Sequence, residues 1–276
     1  NLTYPYEHLN GMSETIKNIV EDNHEVSNFI KQSKKPIIIL GQSVLLSKSG
    51  KFIFDSMKHF LKKNNKINDE WNSFNIISEN ASTVGSLDLG IFQQNSGYNT
   101  TLSNLQNHKY DLVFLIGQDS LSFKKKNEFV IYQGSHGDKG AEIADIILPG
   151  AAYTEQDGYF TNLEGKLQKA YKASYPPGDA KEDWQIINDL AESVSNKKLF
   201  KNKDELESSL LNYLNLSNNK NLPNDSNDTK DLTFSNEKIE IKNLDYYYSN
   251  SIARASKTMF ECRSEKNKLK STGTEG

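Results

Sequence analysis

Four apolar residues in succession, Ile37 to Leu40 in KKPIIILGQS (34–43), stand between Pro36 and Gly41 with no polar position among them. A run this short, with no polar side to turn toward water, predicts a strand buried on both faces. The period then changes. Ile53, Met57, Phe60 and Leu61 recur at helical spacing within 48–63, with lysines on the other side, which predicts an amphipathic helix. FNIIS (74–78), YDLVFLIGQDS (110–120) and EFVIYQG (128–134) read as further strands, TVGSLDLG (83–90) as a turn or short helix, and another short apolar strand ends at Pro149. Strands separated by helical stretches predict an α/β fold: a largely parallel sheet flanked by helices and joined by right-handed crossovers.

Beyond Pro149 the apolar positions alternate. Tyr159, Thr161, Leu163, Gly165 and Leu167 interleave with Phe160, Asn162, Glu164, Lys166 and Gln168, a two-residue repeat that predicts one half-exposed strand. YPPGDAKEDWQIINDLAESV (175–194) predicts a helix capped by Asp179, with Glu182 three residues on and an apolar face of Trp184, Ile187, Leu190, Ala191 and Val194. Residues 203–214 fit one more helix, whereas 216–232 are polar, contain a proline and carry no periodicity, as expected of a linker. In LDYYYSNSIARASKTMFECR (244–263), Ile252, Ala255, Met259 and Cys262 share a helical stripe. The expected organisation is an α/β domain over 1–196, a polar helix and low-complexity linker over 197–243, and a tail over 244–276. A short helix on a linker has no core of its own, so the tail is expected to dock on partner subunits.

Composition narrows the function. Of 276 residues only 36% are hydrophobic and about 30 are asparagine, which favours disorder where apolar residues thin out. The formal net charge is −3, and arginine occurs only at Arg254 and Arg263. A chain short of the planar fork that grips phosphate and guanine is a poor candidate for nucleic acid. Lys124, Lys125 and Lys126 form the densest basic run of the first domain and read as a solvated turn. Cys262 is the single cysteine, so the chain cannot close an internal disulfide, nor supply alone the four thiolates of an ordinary iron–sulfur cluster. No apolar run is long enough to span a membrane, and the start, NLTYPYEHLNG, lacks Met and fits neither a signal nor a transit peptide. The chain is expected to be soluble, and either processed or part of a longer product. Sequons at Asn1, Asn80, Asn99, Asn224 and Asn227 are of the number chance provides in so asparagine-rich a chain.

The candidate chemistry gathers at QGSHGDKGAE (133–142), a glycine-rich loop between a strand and a short predicted helix, where α/β sheets bind ligands. Glycines there allow a phosphate to approach, but the spacing is neither GxGxxG nor GxxxxGK[ST], and Asp138 and Glu142 would repel an anion. The loop is therefore read as a tight structural turn. His136 has no companion at ligand spacing, since His8, His24, His59 and His108 are scattered singly, and it is read as a hydrogen-bonding loop residue. Glu155, Asp157 and Glu164 stand among Gly158, Asn162 and Gly165 and are read as turn residues rather than an acid–base set. No serine lies in a nucleophile elbow, and Cys262 lies in the tail.

FVIYQGSHGDKGAEIADIILPGAAYTEQDGYFTNLEGKLQ (129–168) resembles the C-terminal, molybdopterin oxidoreductase-like part of the large iron–sulfur subunit in the peripheral arm of respiratory complex I, NADH:ubiquinone oxidoreductase. LTYPYEHL (2–9), KKPIIILGQSVL (34–45), ASTVGSLDLG (81–90), PPGDAKEDWQII (176–187) and YYYSNSIARASKTMFEC (246–262) follow in the family's order. The family's cluster-ligating segment lies N-terminal to this region and has no counterpart here, and the upstream domain that supplies the metal ligand in true molybdenum enzymes is missing too. The resemblance therefore implies a structural, non-cluster-bearing subunit of mitochondrial complex I on the matrix side of the inner membrane, with no catalytic, cofactor-binding or metal-binding residue of its own. It implies other peripheral-arm subunits as partners, above all the cluster-bearing N-terminal half of the same family subunit, and neither nucleic acid nor membrane insertion. The alternative reading is a cofactor-binding fragment of a molybdopterin-dependent oxidoreductase, formate dehydrogenase-like, with 133–142 near the nucleotide.

Overall fold

The expected apolar runs form short parallel strands. In the computed structural model, which describes residues 3–91, 97–121, 123–218, 233–240 and 245–271, β1 (Ile38–Gly41) pairs in parallel with β2 (Phe74–Ile77). β3 (Leu112–Ile116), β4 (Phe129–Gly134) and β5 (Ile146–Pro149) form a second parallel sheet in that order. With helices against these sheets the fold is α/β, as the pattern of runs predicts. The chain gathers into two compact units: Asn1–Val84 with Thr161–Lys166 and Asn218–Asn243, and Gly85–Phe160 with Leu167–Ser217 and Leu244–Gly276.

In the first unit, α1 (Ser13–Val20), α2 (Glu25–Gln32) and α4 (Gly50–Lys63) cover one side of the β1–β2 pair. Ile19, Ile30, Met57, Phe60 and Leu61 make the buried cluster, against which Ile38 and Phe74 pack. The predicted apolar stripe of α4 is its buried face, with Ile53 and Leu61 fully enclosed. Short α3 (Gln42–Leu45) turns directly into α4, and Gly50 is needed there because a Cβ would collide with the Leu45 carbonyl. α5 (Thr83–Asp88) is the short helix expected over 83–90.

Part of the expected linker is held in this unit. Residues 219–232 lie outside the described residues, but 233–240 bind across α1 and the start of α4 through two buried serines. Both hydroxyls, Ser13 and Ser49, donate to Ser235 O at 2.8 Å; in return Ser235 N donates to Ser49 Oγ at 2.9 Å and Glu237 N to Ser13 Oγ at 3.0 Å. Ser49 N donates to the Glu237 carboxylate at 2.9 Å, and Met12 bridges Lys238 antiparallel.

In the second unit, α6 (Gly97–Gln106) and α7 (Lys139–Glu142) cover one face of β3–β5, enclosing Leu105, Leu115, Phe123, Val130 and Tyr132. The alternating stretch 159–168 is not one strand. It is a hairpin of β6 (Gly158–Thr161) and β7 (Leu167–Ala170), because the Asn162 side chain accepts from the Glu164 and Lys166 amides and Gly165 takes φ +80°, folding the chain back while the alternation runs on. The helix expected from Asp179 begins later, as α8 (Asp183–Ser195), with Glu182 as its N-cap. Glu182 and Gln185 form the reciprocal capping box, while Gly178 at φ +56° keeps the preceding turn out of the helix. α9 (Lys203–Asn218) extends the predicted 203–214 helix.

The tail stripe is broken as well. A 3₁₀ turn (Tyr246–Tyr248), α10 (Ser251–Ala255) and α11 (Lys257–Ser271) replace a continuous helix, with extended Ser256 (ψ 120°) ending α10.

Candidate functional site

The strand ends of β3, β4 and β5 are where a parallel sheet offers a ligand crevice. Three segments meet there: 117–120 after β3, 133–142 after β4, and 150–157 after β5, with the start of α8 beside them. Each is occupied by side chains of this chain.

Tyr132, 2% exposed, fills the glycine-rich loop. Its hydroxyl donates to His136 O at 2.7 Å, and its ring lies against Gly134 and Gly140. A Cβ on Gly140 would stand 2.7 Å from Gln118 O and 2.9 Å from the ring. These two glycines therefore make room for a tyrosine. Burial, then the Asp119 and Asp138 carboxylates, push the phenol above its ordinary pKa, so it remains a donor.

Arg254 on α10 closes the front of the loop. Its Nη2 lies 2.5 Å from Asp119 Oδ2 and its Nε 2.5 Å from Asp138 Oδ2, while Nη1 donates to Tyr248 O at 3.2 Å. Asp138 precedes α7 but does not cap it with its side chain; the carboxylate is turned to the arginine. Arg263 repeats the device within the tail, pairing with Asp245 at 2.5 Å and stacking over Tyr248 at 4.5 Å. Both arginines of the chain thus hold the tail. Sequence reading passed over Asp119, Tyr132 and Arg254; the usable signal was that both members of so rare a residue type fall in one segment, and that a guanidinium seeks carboxylates.

Behind the loop, Gln133 is enclosed on β4 and donates to Asp183 Oδ1 at 2.9 Å, while Gln156 donates to Asp183 Oδ2 at 2.9 Å and accepts from Asp183 N at 3.1 Å. A second cluster holds α8 and α9: Lys203 lies 2.6 Å from Glu182 and 3.3 Å from Asp157, and Lys172 N donates to Asp157 at 2.7 Å. The Lys172 amide first, then Lys203, lower the Asp157 pKa. Lys203 and the Trp184 indole lower that of Glu182 against the opposing effect of burial.

The other singled-out residues lie apart from one another. Glu155 accepts from Ala152 N at 2.9 Å in its turn, and Glu164 accepts from Asn162 on the exposed hairpin tip. The His136 ring meets Ser135 Oγ at 3.0 Å. Cys262 is exposed on α11. Lys125 pairs with Asp145 at 2.6 Å. Among the described residues, no group of three or more His, Cys, Asp and Glu side chains is arranged to hold a metal ion. At the other end of β4, the enclosed carboxylate of Glu128 accepts from Lys126 N at 2.7 Å and meets His108 Nδ1 at 2.5 Å; the backbone amides, foremost, lower its pKa to about 2.

A model of the molybdopterin oxidoreductase family matches residues 1–193. The whole chain is similar to the NADH-ubiquinone oxidoreductase 75 kDa subunit of Reclinomonas americana, at 37% identity over 274 residues, covering 96% of this chain and 39% of that protein. It is similar to NADH-quinone oxidoreductase subunits of Rickettsia bellii (36% identity, 99% of this chain, 39% of that protein) and of Rickettsia typhi (35%, 98% and 39%). The chain spans about two fifths, 39%, of the length of these relatives.

Proposed function

The chain belongs to the molybdopterin oxidoreductase family, and on that premise we propose that it is a structural, non-cluster-bearing subunit of mitochondrial NADH:ubiquinone oxidoreductase, complex I. It sits in the peripheral arm, on the matrix side of the inner membrane, and braces electron transfer from NADH to quinone carried by partner subunits. The similarity to the 75 kDa subunit and to its rickettsial counterparts, which runs through 96–99% of the chain, carries this reading. A single cysteine supports it, because the chain alone cannot supply the thiolates of an ordinary cluster. The clusters are expected on the part of the family polypeptide that these 276 residues do not match. Among the described residues no helix is long and apolar enough to cross a membrane.

The crevice residues do not fit the pterin that the family's name implies. Such a group needs open glycine backbone and free donors for its phosphates. Here Tyr132 lies against the glycines, two carboxylates face the opening, and the one guanidinium between them is already paired. The test is affinity purification of the tagged chain from the native organism. Co-fractionation with NADH:quinone reductase activity and the cluster-bearing subunit, without extractable pterin, is the expected result. A chain that fractionates away from that activity overturns the assignment.

A further inference from the structure

Strands β3, β4 and β5 are apolar on both sides, the composition of a parallel sheet covered on both faces. Within this unit helices cover one face, over β3 and β4, while Ile147 of β5, in register with Tyr132 on that side, remains 54% exposed. Register places Val113, Leu115, Val130 and Tyr132 together under α6 and α7. The opposite face carries Leu112, Phe114, Ile116, Phe129, Ile131 and Ile146. Of these Leu112 is 59% exposed, Ile116 55%, Phe129 45% and Ile146 44%. α8 reaches only the end of this face, where Gln133 meets Asp183 and Leu148 shares a cavity of about 320 Å³ with Ile186 and Leu190. The first unit repeats the asymmetry: Ile37, Ile39 and Ile77, on the side of β1–β2 away from its helices, are also exposed. A contiguous apolar patch of this kind marks an interaction surface.

The tail, the segment of this unit that could cover the face, is fastened instead to Asp119 and Asp138. The relatives, meanwhile, devote most of their length to sequence with no counterpart here. We propose that the open face of β3–β5 is the seat of the part of the family polypeptide that this chain does not match, delivered as the apolar side of one or more helices, the usual cover of a parallel sheet. The inference rests on the complex I reading above and adds the surface by which the chain is held.

The test places a photo-crosslinking residue in the full chain within the native assembly, Ile116→p-benzoylphenylalanine, and identifies the adduct by mass spectrometry. A second arm uses Leu112→Asp with Ile116→Asp. The adduct is expected on the cluster-bearing family polypeptide. The paired aspartates should leave the melting temperature of the isolated chain nearly unchanged and lower recovery of that partner about tenfold or more, since an unpaired charge would be buried at the contact. An adduct within this chain, on a second copy, or on subunits of other families overturns the inference, as does unchanged recovery of the partner or an isolated variant that no longer folds. Absence of the wild-type chain from the complex refutes the complex I reading itself; its presence with adducts elsewhere refutes only the face.

Discussion

Replacing Arg254 with Met keeps the bulk of the side chain and removes its charge, leaving the carboxylates of Asp119 and Asp138 opposed at the strand ends. Breaking a fully buried ion pair costs about 3–5 kcal/mol, and an exposed pair contributes about 0–1 kcal/mol. The side chains here are 22% exposed for Arg254, 10% for Asp119 and 26% for Asp138, nearer the buried limit but reached by water. The expected loss is about 2–3 kcal/mol, which in a domain of this size lowers the melting temperature by roughly 4–12 °C. Calorimetry at pH 7 measures this. Chymotryptic cleavage at Tyr246 and Phe260, exposed aromatic residues flanking the clamp, should accelerate in parallel. Combining R254M with D119N and D138N removes the opposed charges and should restore most of the loss, because the penalty comes from stranded carboxylates rather than from lost attraction. A melting shift below about 1 °C, with tail cleavage unchanged, would refute the clamp.

Further outcomes follow from the same geometry. Gly140→Ala should destabilise by about 1–3 kcal/mol through collision with Gln118 O and the Tyr132 ring, while Gly137→Ala, whose Cβ would meet its nearest neighbour at an ordinary 3.5 Å, should be near neutral; equal effects in thermal melts would contradict a loop built around the tyrosine. Glu128 has its pKa depressed from 4.5 to about 2, so its contribution is fully present above pH 4.5 and is lost as pH falls through about 2. Glu128→Gln should accordingly melt lower than the parent at pH 7, with the gap closing over that window; a gap constant down to pH 2 would contradict the assignment. Ser13→Ala and Ser49→Ala should each cost about 1–2 kcal/mol and speed amide exchange at Glu237 and Ser235 respectively, with non-additive losses because both hydroxyls donate to Ser235 O. Unchanged protection would mean that 233–240 is held by something else.

The strands and the α4 stripe were legible because apolar character is written into consecutive positions: Ile37–Leu40 and Leu112–Ile116 are apolar without interruption, and Ile53, Met57, Phe60 and Leu61 share one helical face; the burial of the strands on both faces that such runs lead one to expect is not met, since Ile37, Ile39, Leu112 and Ile116 are exposed. The hairpin was missed because its two strands keep one alternation across a turn made by the Asn162 carboxamide and Gly165. At α8 two acidic residues competed for the cap, and the choice fell to Glu182 because Gln185 can answer it. The pinning of 233–240 could not be read locally, since Ser13 and Ser235 are separated by 222 positions and neither is unusual for its neighbourhood. The site was half legible. The loop at 133–142 was located and its glycines were read as structural, but the tyrosine within it and the arginine across it depend on contacts between residues distant in sequence.

A density map of NADH:ubiquinone oxidoreductase purified from the organism that makes this chain, read at residues 132–140, decides whether the chain braces the complex with its strand-end crevice closed. The chain is expected in the peripheral arm with the Tyr132 ring inside the loop, Arg254 between Asp119 and Asp138, and no pterin beside them. A complex lacking the chain, or pterin density where that ring and guanidinium should be, would contradict that expectation.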